Sequence, residues 1–318
     1  MRFIELIDLA SERLGGKALE ANDEFFAPKE NLLKSGRGVF IEDKYTSRGK
    51  WMDGWETRRR RAPGFDWCVV KLGLRGIIRG VDIDTNHFTG NFPSHASLEA
   101  RDGAGPWVEV LAKVELKGST QNLFNVSDTR PWTHVRLNIF PDGGVARLRV
   151  HGDAVPDWER LRLKKGSVDL ASVENGGLAI LASDMFYSHR NNLLMPGRSK
   201  NMGDGWETKR RRGPGHDWVI IRLGHAGSIF KAELDTNHFK GNYPDSCLLE
   251  GCAVEHGETL ESLASATWTT LLPQTKLKAH TRHYFDKELV SKEVFTHIRL
   301  NIYPDGGVSR LRLHGQAR

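Results

Sequence analysis

The sequence predicts an all-β protein made of two tandem copies of one β-sandwich or jelly-roll domain. Three blocks of residues occur twice, in the same order: 53–67 and 204–218, 82–93 and 233–244, and 134–152 and 297–315. A weaker match joins residues 23–33 to 184–194. The first two blocks are offset by 151 residues, far more than the ~20–50 residues of a solenoid repeat. The pattern therefore indicates a duplicated domain.

The domain organisation follows from these offsets. We expect a first copy at residues 1–160 and a second at 161–318, each long enough to bury its own core. The boundary should lie within 152–170, where Pro156 and dense charge interrupt any sustained apolar pattern. The third block is offset by 163 instead of 151, which predicts a 12-residue insertion between residues 245 and 296.

Short strands are predicted along each copy. Residues 67–73 and 77–84 are apolar runs separated by a glycine-containing break, and 107–118 alternate apolar with charged residues, as a half-buried strand does. The third block predicts strands at 134–140 and 145–152 joined by a tight hairpin, because its PDGG turn contains glycines that tolerate positive φ. Several short antiparallel strands per copy are typical of a sandwich or jelly roll.

Helix is predicted in only a few places. We expect short helices at the N-terminus, a helix in part of 166–182, and a further one after Asp286. The rest of each copy should be strand and loop, which keeps the predicted fold class all-β.

The basic charge of the chain suggests nucleic acid at first sight, with a net charge of +6 and four consecutive arginines at 58–61. The stretch 53–67 also contains Asp53, Glu56 and Asp66, so its local balance is only +1. If the stretch is extended, alternation sends successive arginines to opposite faces and interrupts any basic stripe. We therefore expect paired and solvated arginines, and no nucleic-acid partner.

Cysteine usage and hydropathy favour a cytoplasmic protein. Cys68, Cys247 and Cys252 form no CxxC motif, and an odd number of cysteines does not predict a disulfide framework. The N-terminus has Glu5 and Asp8 where a signal peptide would be apolar, and no apolar run approaches the ~20 residues of a membrane helix. We expect no membrane partner.

A polar loop follows a predicted strand in both copies. The first copy has Asp84, Asn86, His87 and Asn91, and the second has Asp235, Asn237, His238 and Asn242. A carboxylate beside a histidine can orient the imidazole and raise its basicity, or the two can share a metal. The alternative is structural, because Asp and Asn commonly bond the backbone of their own turn. Duplication would preserve either, so both interpretations remain open.

The DGWET block supplies a second polar cluster. It contains Trp55, Glu56, Arg58 and Arg60 in the first copy, and Trp206 and Glu207 in the second. Arginine forms two-point contacts with carboxylates, and the glutamate could act as acid or base. A buried tryptophan beside a Glu–Arg ion pair is the structural alternative.

The third block places a histidine and an arginine on one strand face. His134 and Arg136 begin the block in the first copy, with His297 and Arg299 in the second. An isolated histidine of this kind is more often a structural group than a catalyst. His151 and His314, before the closing glycine, are also interpreted as structural.

Together, these blocks resemble those of allantoicases. DGWETxRRR, DTNHFxGNxP and RLNIxPDGGVxRLRxxG are each present twice, so the resemblance covers nearly the whole chain. It implies two galactose-binding-like, discoidin-like jelly rolls per chain and a larger homo-oligomer. It also implies a hydrolase acting on linear amidines, which converts allantoate to ureidoglycolate and urea in purine (allantoin) degradation.

The implied small-molecule substrate, allantoate, would use the polar residues of these blocks. Its carboxylate needs cations and its two ureido groups need hydrogen-bonding partners. We expect the substrate contacts from Arg58, Arg60, Asn86, Asn91, Asn237, Asn242, Trp55, Trp206, Arg136 and Arg299. Catalysis would use three pairs of groups: His87 and His238 for proton transfer, Asp84 and Asp235 to orient them, and Glu56 and Glu207 as second acid or base. No organic cofactor is predicted. A divalent metal that activates water at the same groups stays open.

Two other function classes fit the same fold. A non-catalytic carbohydrate-binding module would stack sugars on Trp55, Trp206, Phe88 or Phe239, and a purely structural domain would bind no small molecule. If the chain is an enzyme, the two copies need not be equal, because Arg58 becomes Lys209 and lysine lacks two-point recognition. We expect unequal halves of one site, or one full site with a supporting twin.

Overall fold

The computed structural model describes residues 2–163, 166–254 and 259–318. The chain splits into two compact units, residues 1–155 and 156–318, and each unit contains one copy of the repeat. The division after Val155 lies inside the segment 152–170, and the exact boundary expected after residue 160 stays a prediction. The all-β, two-copy jelly-roll fold class is confirmed.

The first unit is built almost entirely of antiparallel strands. They are β1 (Ile7–Asp8), β2 (Lys17–Ala21), β3 (Tyr45–Thr46), β4 (Gly49–Lys50), β5 (Trp55–Glu56), β6 (Asp66–Asp84), β7 (His95–Arg101), β8 (Val108–Glu115), β9 (Gln121–Asn125), β10 (Pro131–Phe140), β11 (Gly144–Val145) and β12 (Arg147–Ala154). Short 3-10 helices occupy Phe3–Glu5, Glu12–Leu14 and Lys29–Leu33.

The second unit repeats the arrangement. Its strands are β13 (Val168–Asp169), β14 (Leu178–Ala182), β15 (Trp206–Glu207), β16 (Asp217–Asp235), β17 (Ser246–Cys252), β18 (Thr269–Lys276), β19 (Arg282–Phe285), β20 (Val294–Tyr303), β21 (Gly307–Val308) and β22 (Arg310–Ala317). Its helical segments are α1 (Trp158–Leu163), α2 (Leu260–Ser265) and 3-10 turns at Val173–Asn175, Arg190–Leu194 and Met202–Asp204.

One long strand organises each unit. The first half of β6 pairs with β2 and β10, and its second half pairs with β9 and β12. The strand β16 pairs in the same way with β14, β20, β19 and β22. The predicted break between residues 73 and 77 is wrong. Its glycines permit close packing, because a Cβ on Gly76 would lie 2.5 Å from the Asp153 carbonyl oxygen.

The predicted hairpin of the third block is also wrong. The strands β10 and β12 lie on either side of β6 and do not pair with each other. The intervening PDGG turn crosses over the domain instead, where β11 pairs with β5. Gly143 is required there because its φ is 139° and a Cβ would lie 2.7 Å from the Pro93 nitrogen.

The core of each unit follows from strand alternation. Val135, Leu137 and Ile139 on β10 are fully buried in the core cluster of the first unit. Trp55 packs in the same cluster. The polar positions between these apolar ones therefore lie on the outer faces of the sheets, where functional side chains can collect.

The helix predictions were only partly correct. The N-terminal helices are short 3-10 turns, residues 166–182 contain a 3-10 turn followed by β14, and the segment after Asp286 leads into β20 without a helix. The tertiary sheet pairings override the local preference of these short segments for helix. In the part of the chain that the structure describes, no helix is long and apolar enough to span a membrane.

The structure locates the length differences between the copies. The offset rises from 151 at β7 and β17 to 161 at β8 and β18, and to 163 at β10 and β20. Ten inserted residues therefore lie between β17 and β18, in the connection that contains α2. The first copy has its own ten-residue extension before β5, which forms the β3–β4 hairpin and was not predicted.

Candidate active site

A cavity of about 430 Å³ opens on the outer face of the first unit. This volume lies within the ~300–1,000 Å³ typical of small-molecule sites. Its wall is rich in charged side chains, among them Asp8, Arg37, Asp82, Asp84, Arg149 and His151. The chain thus builds a polar pocket on a sheet surface.

Strand register explains why these side chains meet. Asp82 on β6 lies opposite Arg149 on β12 and Leu123 on β9. Asp84 lies opposite Arg147 and Gln121 in the same way. Since alternate residues of a strand share a face, all of these side chains point away from the core, which takes up the intervening apolar positions.

Asp82 is the most perturbed carboxyl of the cavity. Burial raises its pKa to about 6, and repulsion from Asp84 adds to this, while a hydrogen bond from Gln121 opposes it. The Gln121 amide nitrogen donates to Asp82 Oδ2 at 2.6 Å, and Oδ1 is buried without a hydrogen-bond partner among the described residues. A carboxyl with a pKa near neutrality can both donate and accept a proton, so Asp82 is a candidate acid and base.

Asp84 anchors an arginine instead of a histidine. Its two oxygens accept hydrogen bonds from Nε and Nη2 of Arg37, both at 3.1 Å. Asp84 is buried, whereas the Arg37 side chain is 54% exposed. This two-point contact holds the guanidinium at the cavity wall with its outer edge available to an anion.

His87 lies outside this contact. Its backbone φ is 67°, an uncommon left-handed conformation, and its ring packs on Phe40 with centroids 5.6 Å apart. Asn86 donates its backbone N–H to Asp84 and its side-chain amide to the Gly38 carbonyl. The structure therefore does not bring Asp84 and His87 together as an acid–base pair, and Asn86 braces the loop.

Two further basic groups complete the cavity. Arg149 donates to the carbonyl oxygens of Gly36 and Lys34, and lies 3.8 Å from Asp8. Burial lowers the pKa of His151, although the nearby Asp8 carboxylate opposes that effect. His151, interpreted from sequence as structural, thus lines the cavity while bonding the Leu6 carbonyl.

The second unit carries the same face with different partners. Glu233 replaces Asp82, and it forms an ion pair at 3.0 Å with Arg282, which stands where the first copy has Gln121. Asp235 lies 3.6 Å from Arg198 and 3.7 Å from Arg282. The carboxylates of the second copy therefore face an additional cation.

His238 repeats the geometry of His87. Its φ is 71°, and its Nε2 lies 3.0 Å from the Ser199 carbonyl oxygen. Asn237 donates its backbone N–H to Asp235 and its amide to Ser199. In this copy too, the aspartate braces a loop and does not contact the histidine of its motif.

Glu56 and Asn91 come together from two different sequence blocks. The Asn91 amide donates to Glu56 Oε1 at 2.6 Å, and Asn242 donates to Glu207 in the second unit. Burial raises the pKa of both glutamates, against the effect of the amide hydrogen bond. These pairs form a second duplicated polar cluster, separate from the cavity wall.

Arg58 and Arg60 of the DGWET block form ion pairs with aspartates, and not with Glu56 as the structural alternative expected. Arg58 lies 2.6 Å from Asp23, and Arg60 lies 2.8 Å from Asp66. Neither arginine lines the 430 Å³ cavity.

The predicted aromatic residues are core groups. Trp55 and Trp206 are fully buried, and their indole nitrogens donate to the carbonyls of Asp23 and Asp184. Phe88 and Phe239 are fully buried as well. None of the four can stack on a sugar from solvent in this conformation, which removes the basis for the carbohydrate-binding alternative.

Arg136 and Arg299 occupy another sheet face. Arg136 bonds Glu99 at 2.7 Å and Arg299 bonds Glu250 at 2.9 Å. Each guanidinium also lies over a tryptophan ring, Trp107 or Trp268. Neither arginine lines the 430 Å³ cavity.

The described residues contain no group of three or more His, Cys, Asp or Glu side chains placed to hold a metal ion. The sequence motifs identified Asp84 but missed Arg37, Asp82, Gln121 and Arg149. Alternation within residues 82–84 was the available signal, because it places two carboxylates on one face of a strand. The partner strands could not be assigned from the sequence.

Comparisons with known proteins agree with the duplicated blocks. The allantoicase repeat family matches residues 7–155 and 168–318. The chain is 50% identical to a probable allantoicase 1 of Burkholderia mallei, over 97% of this chain and 94% of that protein. It is 48% identical to an allantoicase of Dictyostelium discoideum, over 98% and 87% respectively.

Solved structures show the same fold. A crystal structure of allantoicase from Saccharomyces cerevisiae superposes with a TM-score of 0.82 at 36% identity, covering 97% of this chain and 92% of that one. Both repeats, the full length and the fold therefore agree, and this chain belongs to the allantoicase family.

Proposed function

We propose that this chain hydrolyses allantoate to ureidoglycolate and urea in the cavity of the first unit. The observation that carries the assignment of the site is the buried carboxyl of Asp82, with its pKa raised to about 6, between two arginines on a pocket wall. Family membership supports the reaction, and the charge pattern of the cavity supports the substrate.

Binding would begin with the substrate carboxylate. Arg37 keeps Nη1 and its outer edge available, because Asp84 occupies Nε and Nη2. Arg149 adds positive charge on the opposite strand. The Gln121 carbonyl oxygen can accept a ureido N–H, since its amide nitrogen is already engaged by Asp82.

Asp82 would supply both proton transfers. In its protonated form it donates to the departing ureido nitrogen as the central C–N bond breaks and urea leaves. The resulting carboxylate then takes a proton from water while the water oxygen bonds to the central carbon. Asp82 ends protonated, as it began, and one C–O bond replaces one C–N bond. General acid–base catalysis of this kind contributes about 10²–10⁴-fold in rate.

Activity is tested by urea release from allantoate with purified, chelator-treated full-length protein across pH 5–9. We expect turnover that falls as pH rises above about 6, because the starting form of Asp82 is protonated. Turnover that requires an added divalent metal would recast the carboxylates as ligands. A folded protein that releases no urea under either condition would refute the proposal.

The catalytic roles of His87, His238, Glu56 and Glu207 are predictions from the sequence that compete with the role proposed for Asp82, and substitution tests them for the two histidines. Because these groups lie outside the cavity wall, we expect His87→Ala and His238→Ala to change kcat/KM by no more than about fivefold, well below a lost general acid or base. A loss above a hundredfold from His87→Ala would return the catalytic role to the histidine. Circular dichroism of both variants controls for folding.

We further propose a cytoplasmic homo-oligomer. Cys68 and Cys247 are buried free thiols, which suits a reducing compartment. The first-unit extension exposes Phe40 and Tyr45, an apolar area that an oligomer would bury. Light scattering on the purified chain measures the mass directly, and a monomer at micromolar concentration would refute the assembly.

A further inference from the structure

A second cavity, of about 370 Å³, lies in the second unit away from the sheet face described above. Its wall includes four consecutive basic residues, Lys209 to Arg212, with Ser183 and Gly213 beside them. The proposed hydrolysis does not use these groups. We propose that this cavity binds a small phosphate dianion.

The loop that carries the basic residues is held by acidic anchors. The backbone N–H groups of Lys209 and Arg211 donate to Asp184 and Asp305, both at 2.8 Å. The Arg211 guanidinium donates to Asp217 at 2.5 Å, and Ser183 donates to the same oxygen. The loop therefore does not have to become ordered when an anion binds, which lowers the entropic cost of binding.

Four basic and two acidic side chains line the cavity, so two positive charges are not balanced. Arg211 is paired with Asp217, and Lys209 lies 3.7 Å from Asp184. Arg210 and Arg212 form no ion pair with any residue that the structure describes, and the buried Nε of Arg211 has no hydrogen-bond partner there. Two unpaired guanidiniums match a doubly charged oxyanion, which arginine binds by two-point contacts.

The first copy carries larger side chains at three of the equivalent positions. Asn22, Arg58 and Ala62 stand where the second copy has Ser183, Lys209 and Gly213. Asn22 bonds Asp66, and Arg58 lies 2.6 Å from Asp23 and over the ring of Phe25. The smaller side chains of the second copy give an anion more room, so the proposed site is assigned to that copy.

The direct test is calorimetric titration of the full chain with inorganic phosphate at constant ionic strength. We expect one saturable site per chain, weakened at least about tenfold by Arg210→Ala/Arg212→Ala, because charge-assisted contacts are lost. The matched first-copy variant, Arg59→Ala/Arg61→Ala, should change affinity by less than about twofold. Equal losses from both variants, or no saturable binding, would overturn the proposal.

A second pair of variants separates a built site from general salt binding. Ser183→Asn/Gly213→Ala introduces the first-copy residues, and a Cβ on Gly213 meets no atom within 4 Å, so the fold should tolerate it. We expect this variant to lose phosphate binding while keeping its unfolding temperature in chloride. Retained binding would contradict the inference, as would saturation by allantoate in place of phosphate.

Titration with glycerol phosphate identifies the source of the dianion. Affinity equal to or above that of inorganic phosphate assigns the cavity to a phosphorylated metabolite, and weaker affinity assigns it to free phosphate. Urea release by the Arg210→Ala/Arg212→Ala variant reports on the cavity of the first unit independently. A failure of phosphate binding therefore leaves the hydrolase proposal intact, and the reverse also holds.

Discussion

The two copies place a carboxylate at the same point of the same sheet face and surround it differently. In the first copy the neighbour of Asp82 is the neutral amide of Gln121, at 2.6 Å. In the second copy the neighbour of Glu233 is the guanidinium of Arg282, at 3.0 Å. A neutral neighbour lets burial raise the pKa of an acid, whereas a cation stabilises its charged form. In the proposed mechanism, this one partner residue distinguishes the proton-transfer group of the first copy from the ion pair of the second.

The largest expected effect comes from removing the two carboxyls one at a time. Asp82→Asn should lower kcat by about 10²–10⁴-fold, because the amide can neither donate to urea nor activate water. Glu233→Gln is the matched change in the second copy and should leave kcat within about threefold, since an ion-pair partner contributes little to the chemical step. Urea release at saturating allantoate measures both, and equal losses would remove the distinction between the copies.

Removing the arginine beside the aspartate should also have a larger effect in the first copy than in the second. We expect Arg37→Ala to raise KM for allantoate by about 10–100-fold, as a charge-assisted contact to the substrate carboxylate is lost. Arg198→Ala, its counterpart, should leave KM nearly unchanged. Initial rates over a range of allantoate concentrations separate KM from kcat. A fall in kcat alone would mean that Arg37 positions Asp84 and does not bind substrate.

Exchanging Gln121 and Arg282 between the copies tests whether this partner residue controls the acid–base role of Asp82. Gln121→Arg should lower the pKa of Asp82 and reduce activity about tenfold at pH 7, with partial recovery at lower pH as the acid is reprotonated. Arg282→Gln should leave urea release unchanged. The pH profile of kcat/KM is the measurement, and a loss without any shift of the profile would indicate damage to packing instead.

The last expected effect is on stability instead of activity. The folded-state pKa of Asp82 is raised from 3.8 to about 6, so the folded state holds this proton more tightly than the unfolded chain. Stability is therefore lost as pH rises from about 4 through 6, by about 2–3 kcal/mol for a buried group. Asp82→Asn should remove that loss. Its denaturation midpoint should rise relative to the unchanged chain at pH 8 but not at pH 4.

The site was only partly predictable from its motifs. Asp84 and Arg58 stand in equally repeated blocks, yet one lines the cavity and the other is an exposed ion pair. Trp55 is also repeated, as Trp206, but both side chains are fully buried in the core and cannot contact a ligand from solvent. Duplication preserves packing and chemistry alike, so a repeated residue type does not reveal which of the two it serves.

The sequence alone determined the duplication, the all-β class and the family, because repeated blocks and strand alternation are local patterns. The tertiary structure decided which strands are neighbours. It placed β12 and β10 on opposite sides of β6, where the sequence suggested a hairpin. It also paired the second half of β6 with β12 on one side and β9 on the other, which sets Arg149 and Gln121 around Asp82 from positions distant in the chain. Burial and partners, which control the pKa of a carboxyl, exist only once those strands have paired.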